Sequence, residues 1–161
     1  MVFSSPQKKA TFPTPRMPLS DPTKELVAKW MAWDLNTSTI EEIASLVERG
    51  DEEELKKRLS ERIKFGTAGL RGKMQAGFSF MNDLTVIQAS QGLVKSVESV
   101  FANGAPEGVE LGVCIGHDAR HHSSTFARLA ASAFLSRGIP VYLFPVIVPT
   151  PLVVCGSCMT I

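Results

Sequence analysis

Apolar positions recur at helical spacing three times between residues 21 and 62. Leu26, Val27, Trp30 and Trp33 form the first stripe. It predicts a helix that opens at Asp21-Pro22, with Asp21 as cap and Pro22 in the first turn. Ser38-Thr-Ile-Glu41 has capping-box spacing, a serine with a glutamate three residues on. Ile40, Ile43, Leu46 and Val47 follow as the second stripe, and Gly50 stops that helix. Asp51 to Glu54 open a third, short helix that runs through Leu55 and Leu59. Charges of both signs fill the positions between, so the segment reads as a solvated helical hairpin.

From residue 63 the pattern changes. Ile63-Lys-Phe65 reads as a short strand, and Gly66, Gly69, Gly72 and Gly77 make the next segment a closely bent loop. Asn82 or Asp83 caps a long helix whose buried face is Leu84, Ile87, Val94, Val97 and Phe101, ending at Asn103-Gly104. Residues 109–115 are a nearly apolar strand, as in a sheet covered on both faces. A turn over 116–122 leads to a helix over 123–137, with Phe126, Leu129, Ala130, Ala133 and Phe134 inward. Gly138 ends it, and residues 141–144 are a second strand. Strand, helix and strand with short connections require a parallel pair.

Composition narrows the class. The chain has 161 residues, 17 Lys and Arg against 16 Asp and Glu, and a net charge of +1. That excludes a general electrostatic affinity for nucleic acid or an anionic membrane surface. Pro6, Pro13, Pro15 and Pro18 mark residues 1–20 as a disordered leader, with no apolar region of a signal peptide. Three cysteines, Cys114, Cys155 and Cys158, do not make a disulfide scaffold, so a cytoplasmic setting is expected. After Arg137 no charged residue follows, a run long enough for a membrane span. Pro140, Pro145, Pro149 and Pro151 break it, so no membrane is expected. The stretch reads instead as a buried strand in a chain that ends early.

Two constellations carry candidate chemistry. In Phe65-Gly-Thr-Ala-Gly-Leu-Arg-Gly72, glycines free backbone N–H groups to approach an anion. Thr67 adds a hydroxyl, Arg71 a planar fork suited to phosphate, and Lys73 a second cation. The spacing is not that of a Walker A loop, since Thr67 stands where the first glycine is needed and Met74 where Ser or Thr is needed. The other reading is a tight turn whose glycines serve geometry alone. Gly116-His-Asp-Ala-Arg120 follows a strand, where ligands of open α/β sheets bind. Asp118 and Arg120 could pair with each other, orient a loop or meet a charged ligand. Cys155-Gly-Ser-Cys158 has no second Cys pair to complete a metal site and reads as small apolar residues in a buried strand or a frayed end. No metal-binding residues are assigned.

Together these motifs resemble the α-D-phosphohexomutase superfamily, in its phosphoglucomutase-2 and phosphopentomutase branch. Residues 65–72 are similar to the family's FGTAGLRG signature and residues 116–120 to its GxDxR signature. Pro149-Thr-Pro151 is similar to the turn preceding the catalytic serine. Trp30-Met-Ala-Trp-Asp34, Gly50 to Leu55 and Arg62 to Phe65 are similar to the helical lead-in of the branch. The resemblance runs over roughly residues 20–152 and fades near Val153. It implies an α/β fold: a three-layer α/β/α domain with a mostly parallel mixed sheet behind a helical lead-in. The expected organisation is a leader over 1–20, a lead-in over 21–62 and an incomplete first domain over 63–161.

The resemblance also implies intramolecular phosphoryl transfer through a phosphoserine on a glucose or pentose phosphate. Magnesium would serve as cofactor and a sugar bisphosphate as primer. Thr67 and Arg71 would sit at the reacting phosphate, with Asp118 and Arg120 shaping the same cleft. The family's Thr-Ala-Ser-His-Asn-Pro motif does not occur in these 161 residues, and Ser157 is followed by Cys158. No catalytic residue is therefore assigned. The chain is expected to be inactive alone, a sugar-phosphate binder or a partner of a full-length homologue, or a fragment without function.

Overall fold

A computed structural model describes residues 18–67, 69–102 and 112–158. They fall into two compact units that meet in sequence at Leu84 and Thr85. The rest of the leader, the start of the strand expected at residue 109 and the helix end expected at Asn103 lie outside the described residues.

The first unit opens with three helices, α1 (Asp21–Trp33), α2 (Thr37–Arg49) and α3 (Glu52–Leu59). Their apolar stripes meet in one core built on Val27, Trp30, Ile43, Val47, Leu55 and Leu59, all essentially inaccessible. Leu19, just ahead of α1, is buried with them. Trp33 turns outward from the expected stripe. Three residues on from Trp30 it sits at the margin of the core, edge-on to Phe78 at 5.9 Å, with Lys29 and Arg62 over its ring. The buried Thr23 takes an inner position that hydrophobicity does not mark. Ser20 and Thr23 both donate to Glu52 at the start of α3, which links α1 to α3. Lys56 foremost, then Ser20, holds the Glu52 carboxyl down to about 2.

The caps differ in detail from the sequence expectation. Ser20, not Asp21, stands at the cap position of α1. Asn36 caps α2 by accepting from the Ser38 amide at 3.0 Å. Ser38 lies inside the helix, and asparagine is as good a cap as serine. Asn36 also donates to Asp83 at 2.7 Å. Asp51 stands outside α3 and caps it through the Glu54 amide. Gly50 closes α2 in the left-handed region, as the spacing predicts.

Arg58 departs most from expectation. Within a dense run of charge it is buried on α3, where it donates to Glu54 and Glu42. The Arg58 bond, then that from Lys57, holds Glu54 below the ordinary carboxylate range. The chain returns over this arginine at Gly77, and Ser79 donates its amide to the Arg58 carbonyl at 3.1 Å. Gly77 has φ +123°, and a Cβ there would lie 2.6 Å from that carbonyl oxygen.

Between Arg58 and Gly77 the chain forms a small hairpin. Strands β1 (Phe65–Gly66) and β2 (Gly69–Leu70) pair antiparallel, with Phe65 opposite Leu70 and Gly66 opposite Gly69. The expected strand over 63–65 is thus shifted toward the glycines. Ile63 lies just before it, donating to the Phe78 carbonyl at 2.7 Å.

The second unit contains most of α4 (Asp83–Val100), then β3 (Val113–Ile115), α5 (Ser123–Leu135), β4 (Val141–Leu143) and α6 (Thr150–Cys158). Strands β3 and β4 run parallel, with Val113 opposite Val141 and Ile115 opposite Leu143. Helix α5 connects them, as the short connections require. Phe134 and Ala133 of α5, Val94 of α4 and Ile139 form the core, with Val113, Ile115 and Val141 against it. The inward face of α5 is turned from the expected one: Ala127 and Ala131 are buried, while Phe126, Leu129 and Ala130 are half-buried. Small alanines let the helix approach the strands closely.

Residues 150–158 are helical, which corrects the reading of this stretch as a buried strand. Pro151 falls in the first turn, where a missing N–H costs nothing. No helix among the described residues is long and apolar enough to cross a membrane. Helix α6 packs near the end of β3. A Cβ on Gly116 would lie 2.6 Å from the Cγ2 atoms of both Val148 and Val153.

Two contrasts follow for chemical denaturation of the chain. Gly77→Ala meets both a left-handed φ and a fixed carbonyl, and should cost more than about 2 kcal/mol. Gly69→Ala has the unfavourable φ of +88° with nothing within 4 Å, and should cost about 1 kcal/mol. Equal costs would contradict the close pass of Gly77 over Arg58. In the second unit, Gly116→Ala meets side-chain methyls that can shift, so a cost of about 1–3 kcal/mol is expected. A neutral result would contradict the seating of Val148 and Val153 on Gly116.

Candidate functional site

The glycine hairpin forms a shallow concavity of about 290 Å³, lined by Lys64, Gly66, Thr67, Gly69 and Arg71. The residues here are exposed or half-exposed, and Gly66 and Gly69 pair with each other across the hairpin. Thr67 and Arg71 are exposed, and among the described residues no ion pair engages Arg71. Lys64 is the residue that sequence reasoning missed. It sits one position before β1 and reaches only an exposed Glu61 at 3.6 Å, a weak pairing. Nothing local in the sequence sets it apart from other surface lysines. Lys73, singled out in the sequence, is exposed but does not line this concavity.

A concavity with two cations and a hydroxyl at an exposed turn has the chemistry of an anion site. Lys64 supplies a point charge and Arg71 a fork of five donors.

The second motif lies in the other unit. The Asp118 carboxylate accepts from the Arg120 amide at 3.0 Å and from the Arg120 guanidinium at 2.7 Å. Of the three uses the sequence left open for these residues, pairing with each other and orienting the loop are the ones observed. The amide contact is an Asx turn, which shapes the loop itself. The Arg120 amide first, then the Ser123 hydroxyl, keeps the Asp118 carboxyl below its ordinary range. The Asp118 amide in turn donates to Ser123 Oγ at 3.2 Å. Ser123 therefore fastens this turn, while the helix cap position is taken by His122 with φ 61°. A non-glycine residue in that region is uncommon, and it sits at the end of the motif. Arg120 itself is highly exposed. The His117 carbonyl accepts from the Val148 amide at 3.1 Å, which joins this turn to the Pro149-Thr-Pro151 segment.

A larger concavity of about 420 Å³ lies between α4 and α5, lined by Gln88, Gln91, Lys95, Glu98, Ser136 and Arg137 among others. Its arginine is already held by Glu98 at 2.8 Å, which makes it a poorer anion site than the hairpin. Among the described residues no three His, Cys, Asp or Glu side chains converge to hold a metal.

Comparison with known proteins agrees with the motifs. The family described as phosphoglucomutase/phosphomannomutase, alpha/beta/alpha domain I, matches residues 62–157. The likeness thus continues past Val153, through α6. Human phosphopentomutase is 47% identical over 132 residues, which cover 78% of this chain and 21% of that protein. Phosphoribomutase of Saccharomyces cerevisiae is 50% identical over 133 residues, 81% of this chain and 20% of that protein. Mouse glucose 1,6-bisphosphate synthase is 43% identical over 133 residues, 79% of this chain and 21% of that protein. These alignments cover more of the chain than residues 62–161 could supply, so they include part of the helical lead-in. The chain spans about a fifth of the length of the curated relatives it matches. No solved structure gives a significant match. The chain belongs to the phosphohexomutase superfamily, in the branch of phosphopentomutase and its relatives, and corresponds to an N-terminal portion containing the α/β/α domain I.

Proposed function

We propose that this chain supplies the phosphate-holding corner of a sugar-phosphate mutase, the enzyme class named in its relatives. The observation that carries the reading is the hairpin concavity, where Lys64, Thr67 and Arg71 gather at an exposed turn. Such a corner suits phosphoryl transfer, which depends on positioning and charge stabilisation more than on covalent help from the protein. The ligand would be the phosphate group of a hexose or pentose phosphate. Asp118 and Arg120 would shape a charged turn of the same enzyme. These 161 residues hold no Thr-Ala-Ser-His-Asn-Pro sequence and, among those described, no metal cluster. By themselves they are expected to bind phosphate without turning over a sugar phosphate.

The test uses the 161-residue chain and thermal unfolding. Millimolar glucose or ribose monophosphate should raise the midpoint, by mass action on the folded state. Arg71→Ala should weaken that binding roughly tenfold or more, as expected for a lost charge-assisted contact. A shift that survives Arg71→Ala unchanged would place the phosphate elsewhere. Turnover with magnesium and a sugar bisphosphate would contradict the expected inactivity of these residues alone.

A further inference from the structure

We infer that Arg58 and Glu42 are positioning residues for the glycine hairpin, so that the helical lead-in sets the geometry of the phosphate corner. The inference rests on the reading of the hairpin as that corner. It goes beyond it by assigning a role to two residues in helices that carry none of the motifs.

The argument follows the hydrogen bonds outward from Arg58. Its guanidinium holds Glu42 of α2 and Glu54 of α3 at once. The second oxygen of Glu42 accepts from the Ala76 amide at 3.1 Å. The Arg58 carbonyl accepts from the Ser79 amide at 3.1 Å. Ser79 Oγ donates to the carbonyls of Lys57 and Glu61. Residues 76–79 are thereby fastened to α2 and α3 at several points, and the missing Cβ of Gly77 permits the close pass between them.

This fastened segment holds both arms of the hairpin. On the leading arm, the Ile63 amide donates to the Phe78 carbonyl at 2.7 Å. On the trailing arm, the Met81 amide donates to the Lys73 carbonyl at 3.0 Å, and the Gln75 amide to the Met81 carbonyl at 3.2 Å. Asn82 ties the same stretch together by donating to the carbonyls of Gln75 and Gly77 at 2.9 and 2.8 Å. The arms also touch each other: a Cβ on Gly72 would lie 3.2 Å from Ile63 Cδ1. The hairpin itself has two short two-residue strands and no apolar core of its own. A two-stranded hairpin of that size does not hold its shape unaided. Its spacing between Lys64 and Arg71 must come from the arms, and the arms are anchored by Ala76 and Phe78 in the helical core and by the polar contacts of Arg58 and Glu42.

The arrangement is a charged network whose partners are buried or half-buried, so losing one member leaves the others poorly satisfied. Arg58 is nine-tenths buried and spans two carboxylates, a geometry that lysine cannot reproduce with one ammonium.

The test compares Glu42→Gln, Arg58→Met and Arg58→Lys in the 161-residue chain, with inorganic phosphate as the probe. Two readouts are taken well below the unfolding midpoint: the phosphate Kd and the amide chemical shifts of Gly66, Thr67 and Arg71. Glu42 is two-fifths exposed, so Glu42→Gln is the variant expected to stay folded if Arg58→Met does not. The inference predicts shifted hairpin amides and phosphate binding weakened roughly tenfold in Glu42→Gln and Arg58→Met. Arg58→Lys should recover only part of the loss. A folded Glu42→Gln chain with unmoved hairpin amides and unchanged Kd would overturn it. If the parent chain does not bind phosphate, the reading of the corner fails. The amide shifts still decide whether Glu42 and Arg58 position the hairpin.

Discussion

Gly77 passes so close over Arg58 that a methyl group would lie 2.6 Å from the arginine carbonyl, and the first unit is organised around that contact. Three consequences follow from it. The arginine side chain is shut in on α3, where only the paired carboxylates of Glu42 and Glu54 make its burial tolerable. The returning chain finds hydrogen-bond partners on α2 and α3, and it buries Ala76 and Phe78 in the core of the three helices. The intervening residues are then forced out as a hairpin, which leaves Lys64, Thr67 and Arg71 at the surface.

Gly116 repeats the device in the second unit. There the absent Cβ admits Val148 and Val153, and brings the Pro149-Thr-Pro151 segment beside the turn of Asp118 and Arg120. In both units glycine matters less for flexibility than for the space it leaves. In both, a chemically expressive loop is shaped by a contact outside its own motif. The family's short signatures are therefore incomplete descriptions of their sites, because the residues that hold the loops lie on neighbouring elements.

The three lead-in helices, the parallel strand pair and the glycine motif were legible in the sequence because each rests on local periodicity or local turn chemistry. The inward stripes of α2 and α3 read correctly from Ile43 to Leu59. The largest failure has a clear cause: a contact distant in sequence decided the outcome. Arg58 lies in a charge run that resembles a solvated face, and its partner Glu42 is sixteen residues away. Asn36 displaced Ser38 as cap, although Ser38 and Glu41 have the right spacing. Helix α6 was hidden by Pro149 and Pro151, residues that break a helix interior but are tolerated at its start. Of the candidate site, Thr67 and Arg71 were visible through the company of glycines. Lys64 was not, since nothing local distinguishes it from other surface lysines.

The central claim is that the hairpin over residues 64–71 is the anion site of this chain. The most direct measurement is a titration of the isotope-labelled chain with inorganic phosphate, followed through its backbone amides. The account predicts saturable shifts centred on Gly66, Thr67, Gly69 and Arg71. Shifts that do not saturate, or that centre on Lys95 and Arg137 in the groove between α4 and α5, would contradict it.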